Sequence, residues 1–460
     1  MNNFQSANTP KRGWIRFLLK WTLRAAAALL VLLLLAFCVV FRTALYDRFY
    51  LFPKQAQAWA QFRAERVAPT LDDGWNEYRG VLHNHSELSH DSAIPFPDIV
   101  KALKTDDVDF ICMTDHYADG KADYSLGWNG MHDGILFIRG YELDYGLMPW
   151  GIPEGTVFLA SDEPRALAKR IHDLGGVLFF SHTEQDRMWD LPELDGMEIY
   201  NIHTDFLDES KASIKKLAPQ ILLCLGSYPE ESLRLIFDPP KGQLARWDDL
   251  NKTRHNTGIS ANDSHQNVGV RGFYTANDTL VLKGTGDKTK IIGEYKLNFF
   301  TRLALRAFFG PLEPDRQILR VELDPYARSC HYVNTHVLAK ACTEKDIVES
   351  LRAGRAFVAF TMLADARGFT CFMQGSEKKA VMGESIALEP GLKLRAAAPN
   401  RCRFTVVKDG ANVTQSEGAE LVFDVTTPGK YRVEVELNIL GEWTPWIYAN
   451  PIEVLPKPAV

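Results

Sequence analysis

The sequence predicts an α/β protein whose central part is a β/α barrel, preceded by one membrane-spanning helix and followed by a β-sandwich. Three observations predict it. Residues 25–41, AAAALLVLLLLAFCVVF, run seventeen positions without a charge. From residue 75 short apolar runs alternate with helical stretches, the rhythm of β/α units. After residue 363 the runs alternate apolar with polar residues and are separated by turn residues.

A chain of 460 residues is too long for one ordinary domain and suggests two or three. Its 46% apolar and 24% charged residues are those of a globular protein. The net charge is −6 and no long basic stripe occurs, so no nucleic-acid partner is expected. None of the seven cysteines forms a CxxC pair, which argues against a structural zinc ribbon. In an oxidising compartment Cys330–Cys342 or Cys371–Cys402 are candidate disulfides; buried free thiols are the other reading.

The N-terminal run, extended back over Trp21, Thr22 and Leu23, reaches about 20 residues, the length needed to cross the hydrocarbon core. Five basic residues precede it within twenty positions and three follow, with no acidic residue before it. That bias places the N-terminus inside and the body outside. No A-x-A-like site follows the run, and Phe37 precedes Cys38 where a lipoprotein signal has a small residue. The expected order is a cytoplasmic tail (1–24), a single-pass inner-membrane anchor (25–41), a connector (42–74) and an extracytoplasmic body. YLFPKQAQAWAQFRAERVAP in the connector reads as a helix near the membrane surface.

In the body (75–362), RGVLHNH, VDFICMTDH, GILFIRGYEL, GVLFFSH, GMEIYN and TGISANDSH read as strands, and PDIVKALK and EPRALAKRIHDLGG as helices. Each strand ends in His, Asp, Glu or Asn. In parallel β/α barrels the functional side chains sit at the C-terminal strand ends, so these residues point to one shared site. His83 and His85 are two apart, and Asp263 and His265 repeat the spacing; period-two geometry sends each pair one way. Asp115, His116, Glu142, His182 and His203 lie at or just past strand ends, with His90 and Asp91 in the loop after the first strand. One strand-end histidine is usually a hydrogen-bonded surface residue; eight such positions in register are not. Imidazole and carboxylate without thiolate suit zinc, manganese or iron.

HNHSELSHD, MTDH, GYE, the later His182 and His203, and NDSH resemble, in order and spacing, the motifs of the polymerase and histidinol phosphatase (PHP) family over roughly residues 78–362. The resemblance implies a distorted (β/α)7 TIM-like barrel, two or three divalent metal ions and hydrolysis of a phosphorylated substrate. It implies a first centre at His83, His85, Glu142 and Asp263. A second shares Glu142 and adds His182 and His203. A third uses His90, His116 and His265, with Asp91 as the alternative to His90. Asp115 is expected to orient a ligand histidine. With Asp115 and His265, Arg139 is expected to serve catalysis, and Arg139, Arg187 and Arg271 are candidates for phosphate contact. Such a site activates water by a di- or trinuclear cluster, and no G-x-S-x-G elbow or P-loop competes with it.

Residues 267–320 read as an insertion whose KLNFFTRLALRAFFG segment either lies on a membrane surface or packs on the protein. Residues 335–360 read as strand, Thr-capped helix and strand; His331 and His336 are candidate substrate contacts, with structural roles as the alternative. Residues 363–460 carry no ligand cluster, which suits a structural or substrate-positioning role. Two other functions fit the same residues: a non-catalytic, metal-stabilised sensor or scaffold, and a metallohydrolase acting on a bond other than a phosphoester.

Overall fold

The computed structural model describes residues 12–69, 71–207, 217, 219–220, 223–285 and 291–457. The chain divides into two compact units, the first within residues 1–57 and 209–236, the second within 58–208 and 237–460.

In the first unit, Arg12–Val40 is one 29-residue helix. Its Arg16–Val40 stretch is long and apolar enough to cross a membrane, and none of it is buried within the protein. From Ala25 to Val40 no charged side chain interrupts it. A π-helical turn, Asp47–Leu51, follows a short helix at Arg42–Tyr46. Its two charges are both satisfied. Buried Asp47 accepts from Gln220 Nε2 at 2.8 Å, and Arg48 donates to the Leu223 carbonyl at 2.6 Å.

The second unit is a mixed α/β body with a sheet-rich C-terminal region. Three strands, Asn76–Val81, Phe110–Cys112 and Ile135–Ile138, pair in parallel. Three more, Val177–Phe180, Gly196–Asn201 and Thr257–Ala261, form a second parallel group, with Leu147–Trp150 antiparallel at its edge. Among the described residues these strands form two open groups and no closed ring, so of the expected distorted (β/α)7 TIM-like barrel the mixed α/β body is shown and the barrel is not. Isolated bridges join them, at Asn84 with Ser264, Gly140 with Trp150 and Leu143 with Leu147, together with the Asn262 N–H donating to the Leu82 carbonyl. The physical reason is the partner of the first strand. Its second edge is taken by Asn334–Ala339 running antiparallel, where a parallel ring would place another parallel strand.

One core unites the two groups: Leu82, Phe110, Ile138, Trp150, Val177, Phe179 and Ile259 are buried together. Gly80 is required there, since a Cβ at that position would lie 2.1 Å from the Phe110 ring. The outer layer is helix Phe96–Thr105, which starts with Pro97 in its first turn and buries Ile99, Val100 and Leu103 against Val81, Ile111 and Phe137. Thr343 caps helix Glu344–Ala353 by accepting from the Asp346 N–H, and Gly354 closes it in the left-handed conformation.

Eight strands between Thr370 and Leu455 make the sheet-rich region. It is hydrogen-bonded to the α/β body, because Glu442–Ala449 pairs with Ala356–Ala359, which pairs with Asn334–Ala339. Trp446 is fully buried and donates to the Ala364 carbonyl. The 267–320 insertion is an antiparallel sheet of Gly269–Thr275, Thr279–Gly284, Ile291–Lys296 and Gln317–Glu322 with a helix at Phe299–Phe309. All seven cysteines are free, so neither candidate disulfide is formed.

Candidate metal centre

Every strand of the two parallel groups delivers polar side chains to one end of the body. His83 and His85 follow strand Asn76–Val81; Asp115 and His116 follow Phe110–Cys112; Glu142 follows Ile135–Ile138. His182 follows Val177–Phe180, and Asp263 and His265 follow Thr257–Ala261. The expected period-two alternation is not how they converge. His83, His182 and Asp263 lie beyond the strands with φ of 59°, 45° and 45°, the left-handed region few non-glycine residues occupy. This turn carries each ligand-bearing loop inward. The Asn84–Ser264 bridge and the His85 N–H donating to the Ser264 carbonyl at 3.1 Å tie the first loop to the last.

Three groups of donor atoms result, each with its atoms within 4.8 Å of one another. One is His83, His85 and Glu142. One is His83, His182 and Asp263. One is His85, Asp91, His116 and His265. Glu142 reaches across them: its Oε2 lies 3.2 Å from His83 Nε2 and 3.7 Å from both His85 and His116 Nε2, and its Oε1 lies 3.3 Å from His182 Nε2. Asp263 Oδ1 stands 3.3 Å from the Nε2 atoms of both His83 and His85. Asp91 Oδ2 lies 3.1 Å from His265 Nε2 and 3.4 Å from His116 Nε2.

These donors fit divalent cations. His85 Nε2, His265 Nε2, Asp263 Oδ1 and Asp91 Oδ1 are buried, and no described residue gives any of them a hydrogen bond. Several convergent buried lone pairs without donors are costly unless a cation takes them. Sulfur is absent, which suits harder or borderline ions.

A supporting layer fixes the rings. Glu198 Oε1 accepts from His83 Nδ1 at 2.5 Å, leaving Nε2 for the cluster. Its other oxygen accepts from the His182 backbone N–H at 2.8 Å and from Asn201 Nδ2 at 3.1 Å. Asp115 is not in any donor group. It accepts from the Ser86 N–H at 2.6 Å and from Ser89 Oγ at 3.2 Å, and Ser89 Oγ lies 3.0 Å from His85 Nδ1. Asp115 thus orients His85 through Ser89.

The charges are coupled. In the protein alone, burial opposes a positive His83, but Asp263, Glu142 and Glu198 raise its pKa well above the usual value. Burial likewise opposes protonation of His182, yet hydrogen bonds to Glu142 and Glu184 push it up to about 11. His265, against its burial, is raised to about 9 by Asp263 and Asp91. His85 goes the other way, to about 3, through burial and its neighbour His265. Glu142 and Asp263 are held well below the usual carboxylate range despite burial, chiefly by His83. Burial raises Asp115 to about 6.

The centre opens into a cleft of about 750 Å³ lined by His90, His116, Tyr117, Tyr145, Arg187 and His203 among others. His90 is exposed, its ring 4.9 Å from that of His116, and Asp91 occupies the donor group where His90 was expected. His203 lines the cleft with its ring 5.5 Å from His265, outside the three groups. Arg187 lines the cleft and is anchored by donating from Nε to the Ser181 carbonyl at 2.9 Å. Arg139 is placed elsewhere: its guanidinium donates to the carbonyls of Tyr124 and Gly127, fastening a turn rather than facing the cleft. Arg271 lies in a different cavity. His331 and His336 pair with Asp106 and Glu77, away from the cleft. Glu198 went unnoticed in the sequence. Its signal was an acid inside the otherwise apolar strand GMEIYN, a position where acids are rare unless partnered.

The fold and site define a mixed α/β protein with clustered imidazole and carboxylate groups at its strand ends that could hold metal ions. No protein-family model matches the chain, and no curated protein matches it. Among solved structures it is similar to a two-domain protein containing a predicted PHP-like metal-dependent phosphoesterase from Bacteroides vulgatus ATCC 8482. The two share 13% identity over 85% of this chain and 98% of that one, with a TM-score of 0.34. A likeness that distant carries no argument about chemistry.

Proposed function

We propose that this protein is a membrane-tethered, metal-dependent hydrolase of phosphoester bonds. The observation that carries the reading is the convergence of three donor groups, linked through His83 and His85 and each holding one carboxylate (Asp91, Glu142 or Asp263), around unpartnered buried atoms. The motif resemblance to the PHP family supports the phosphoester assignment. His83, His85, His116, Glu142, His182, Asp263 and His265, with Asp91, would hold the ions. Bound divalent cations supply Lewis-acid activation of water at neutral pH and balance charge on phosphoryl oxygens.

The chain's own residues do the rest. Glu198 and Asp115 hold the ligand imidazoles in one tautomer and orientation. Arg187, fixed by Ser181, offers its remaining donors to a phosphoryl oxygen at the cleft wall. Tyr117 and Tyr145 flank the space for the substrate's leaving group. In this reading residues 75–362 carry the chemistry and 363–460 buttress it. The N-terminal helix anchors the chain in the inner membrane, and the basic residues before it favour an extracytoplasmic body.

The test uses full-length protein in detergent, loaded with manganese or zinc. It should hydrolyse chromogenic phosphomonoester or phosphodiester substrates, and Asp263→Ala and His83→Ala should abolish the activity. Firmly bound metal without turnover of either substrate would overturn the enzyme assignment in favour of a metal-stabilised scaffold. Elemental analysis finding no bound metal would remove the site itself.

A further inference from the structure

The insertion sheet carries a row of like charges. Its register pairs Arg271 with Lys283 on one side and with Arg320 on the other. Directly paired residues of antiparallel strands project from the same face, and like charges so placed repel. Lys283 leans away, its amine 5.4 Å from the centre of the Phe273 ring. Arg320 gives its Nε and one terminal nitrogen to Glu322. Arg271 has no carboxylate partner among the described residues; it donates only to the Thr285 carbonyl.

Arg271, Arg320, Thr285 and Gln266 line a cavity of about 180 Å³ that shares no lining residue with the metal cleft. Two buried polar atoms there, Arg271 Nε and Thr285 Oγ1, have no hydrogen-bond partner among the described residues, and Thr285 is 1% exposed. A buried guanidinium donor and a buried hydroxyl left open beside a row of cations call for a negatively charged acceptor. The carboxylate lining this space, Asp98, is on the solvent-exposed side of its helix.

We propose that this cavity is a second anion site, built for a phosphate group. The open edge of the Arg271 guanidinium and a hydroxyl match the several oxygens of a tetrahedral oxyanion better than a monatomic ion. The site abuts the metal centre through the chain. Gln266 directly follows His265, Ser92 Oγ donates to the His265 carbonyl, and Asn267 Nδ2 donates to the Asp91 carbonyl. An anion held between Gln266 and Arg271 therefore steadies the two segments that present Asp91 and His265. The phosphate belongs either to a soluble phosphorylated molecule or to a lipid headgroup.

The test is equilibrium binding of inorganic phosphate to the full chain in detergent after chelation of metals. One saturable site is expected, weakened about tenfold in Arg271→Gln by loss of a charge-assisted hydrogen bond. Thr285→Val should weaken it about threefold while keeping the fold, and it decides the matter if Arg271→Gln fails to fold. Arg187→Ala, in the cleft, should leave it unchanged. Loss in Arg187→Ala, unchanged affinity in Thr285→Val and Arg271→Gln, or no saturation by about 10 mM phosphate would overturn the proposal. Two further ligands assign the source. Tighter binding of dihexanoyl phosphatidic acid than of glycerol phosphate supports the site as a headgroup site, and equal binding supports it as a site for soluble phosphates.

Discussion

His83 shows how much one side chain here depends on its neighbours. Its Nδ1 is committed to Glu198 and its Nε2 faces Glu142 and Asp263, so it can present only one nitrogen to a cation. Glu198→Gln should keep the fold but weaken metal affinity by about 10- to 100-fold, the usual effect of losing such a partner, as read by competitive chelator titration. Unchanged affinity would show that Glu198 does not orient the ring. Arg187→Ala should raise KM about tenfold at unchanged metal content; an equal loss confined to kcat would place the arginine in the transition state alone. Protons make a third prediction. His182 and His265, with pKa values raised to about 11 and about 9, hold protons at neutral pH that a metal must displace. Raised values mean the protonated form is favoured below them, so metal affinity falls on acidification and rises as the pH goes from about 6 to 9. Calorimetry in buffers of different ionisation enthalpy should register proton release, and a pH-independent affinity without release would refute this assignment.

Strand ends, rather than strands, build the centre. The residues types at those ends were legible from the sequence, because a run such as VDFICMTDH changes abruptly from apolar to ligand-forming. The route by which they converge was not. Left-handed turns at His83, His182 and Asp263 are set by pairing between distant loops, and no local pattern of His and Asp announces them. The same cause exchanged Asp91 for His90: both lie beside His116, and only the loop's path decides which of them joins the donor group. Gly146 illustrates a coupling between elements. Its φ of 75° suits glycine, and a Cβ there would lie 2.4 Å from Arg187 Nε. Gly146→Ala should therefore cost about 1 kcal/mol in backbone strain and raise KM as Arg187→Ala does, read by thermal melts and kinetics together. Normal KM with a lower melting temperature would mean that Arg187 tolerates the displacement.

The chain carries an apolar helix and a body whose donor groups could hold metal ions. Full-length protein should stay with the membrane pellet after alkaline carbonate washing; release into the supernatant would refute the tether. Cations that bind only the folded body should raise its thermal stability, by about 4 kcal/mol at a thousandfold excess over Kd, and chelator should reverse it.

The sequence by itself determined the apolar span, the α/β alternation, the sheet-rich C-terminal region and most of the ligand residue types, because each is written in local composition and periodicity. Tertiary structure alone decided that the parallel strands form two open groups, that Glu198 backs His83, that Arg139 fastens a turn, and that Arg271, Thr285 and Arg320 share one cavity. Each of those depends on which distant strands pair and in what register, and long-range pairing is fixed by the competition of the whole chain for one core, not by any segment's own pattern.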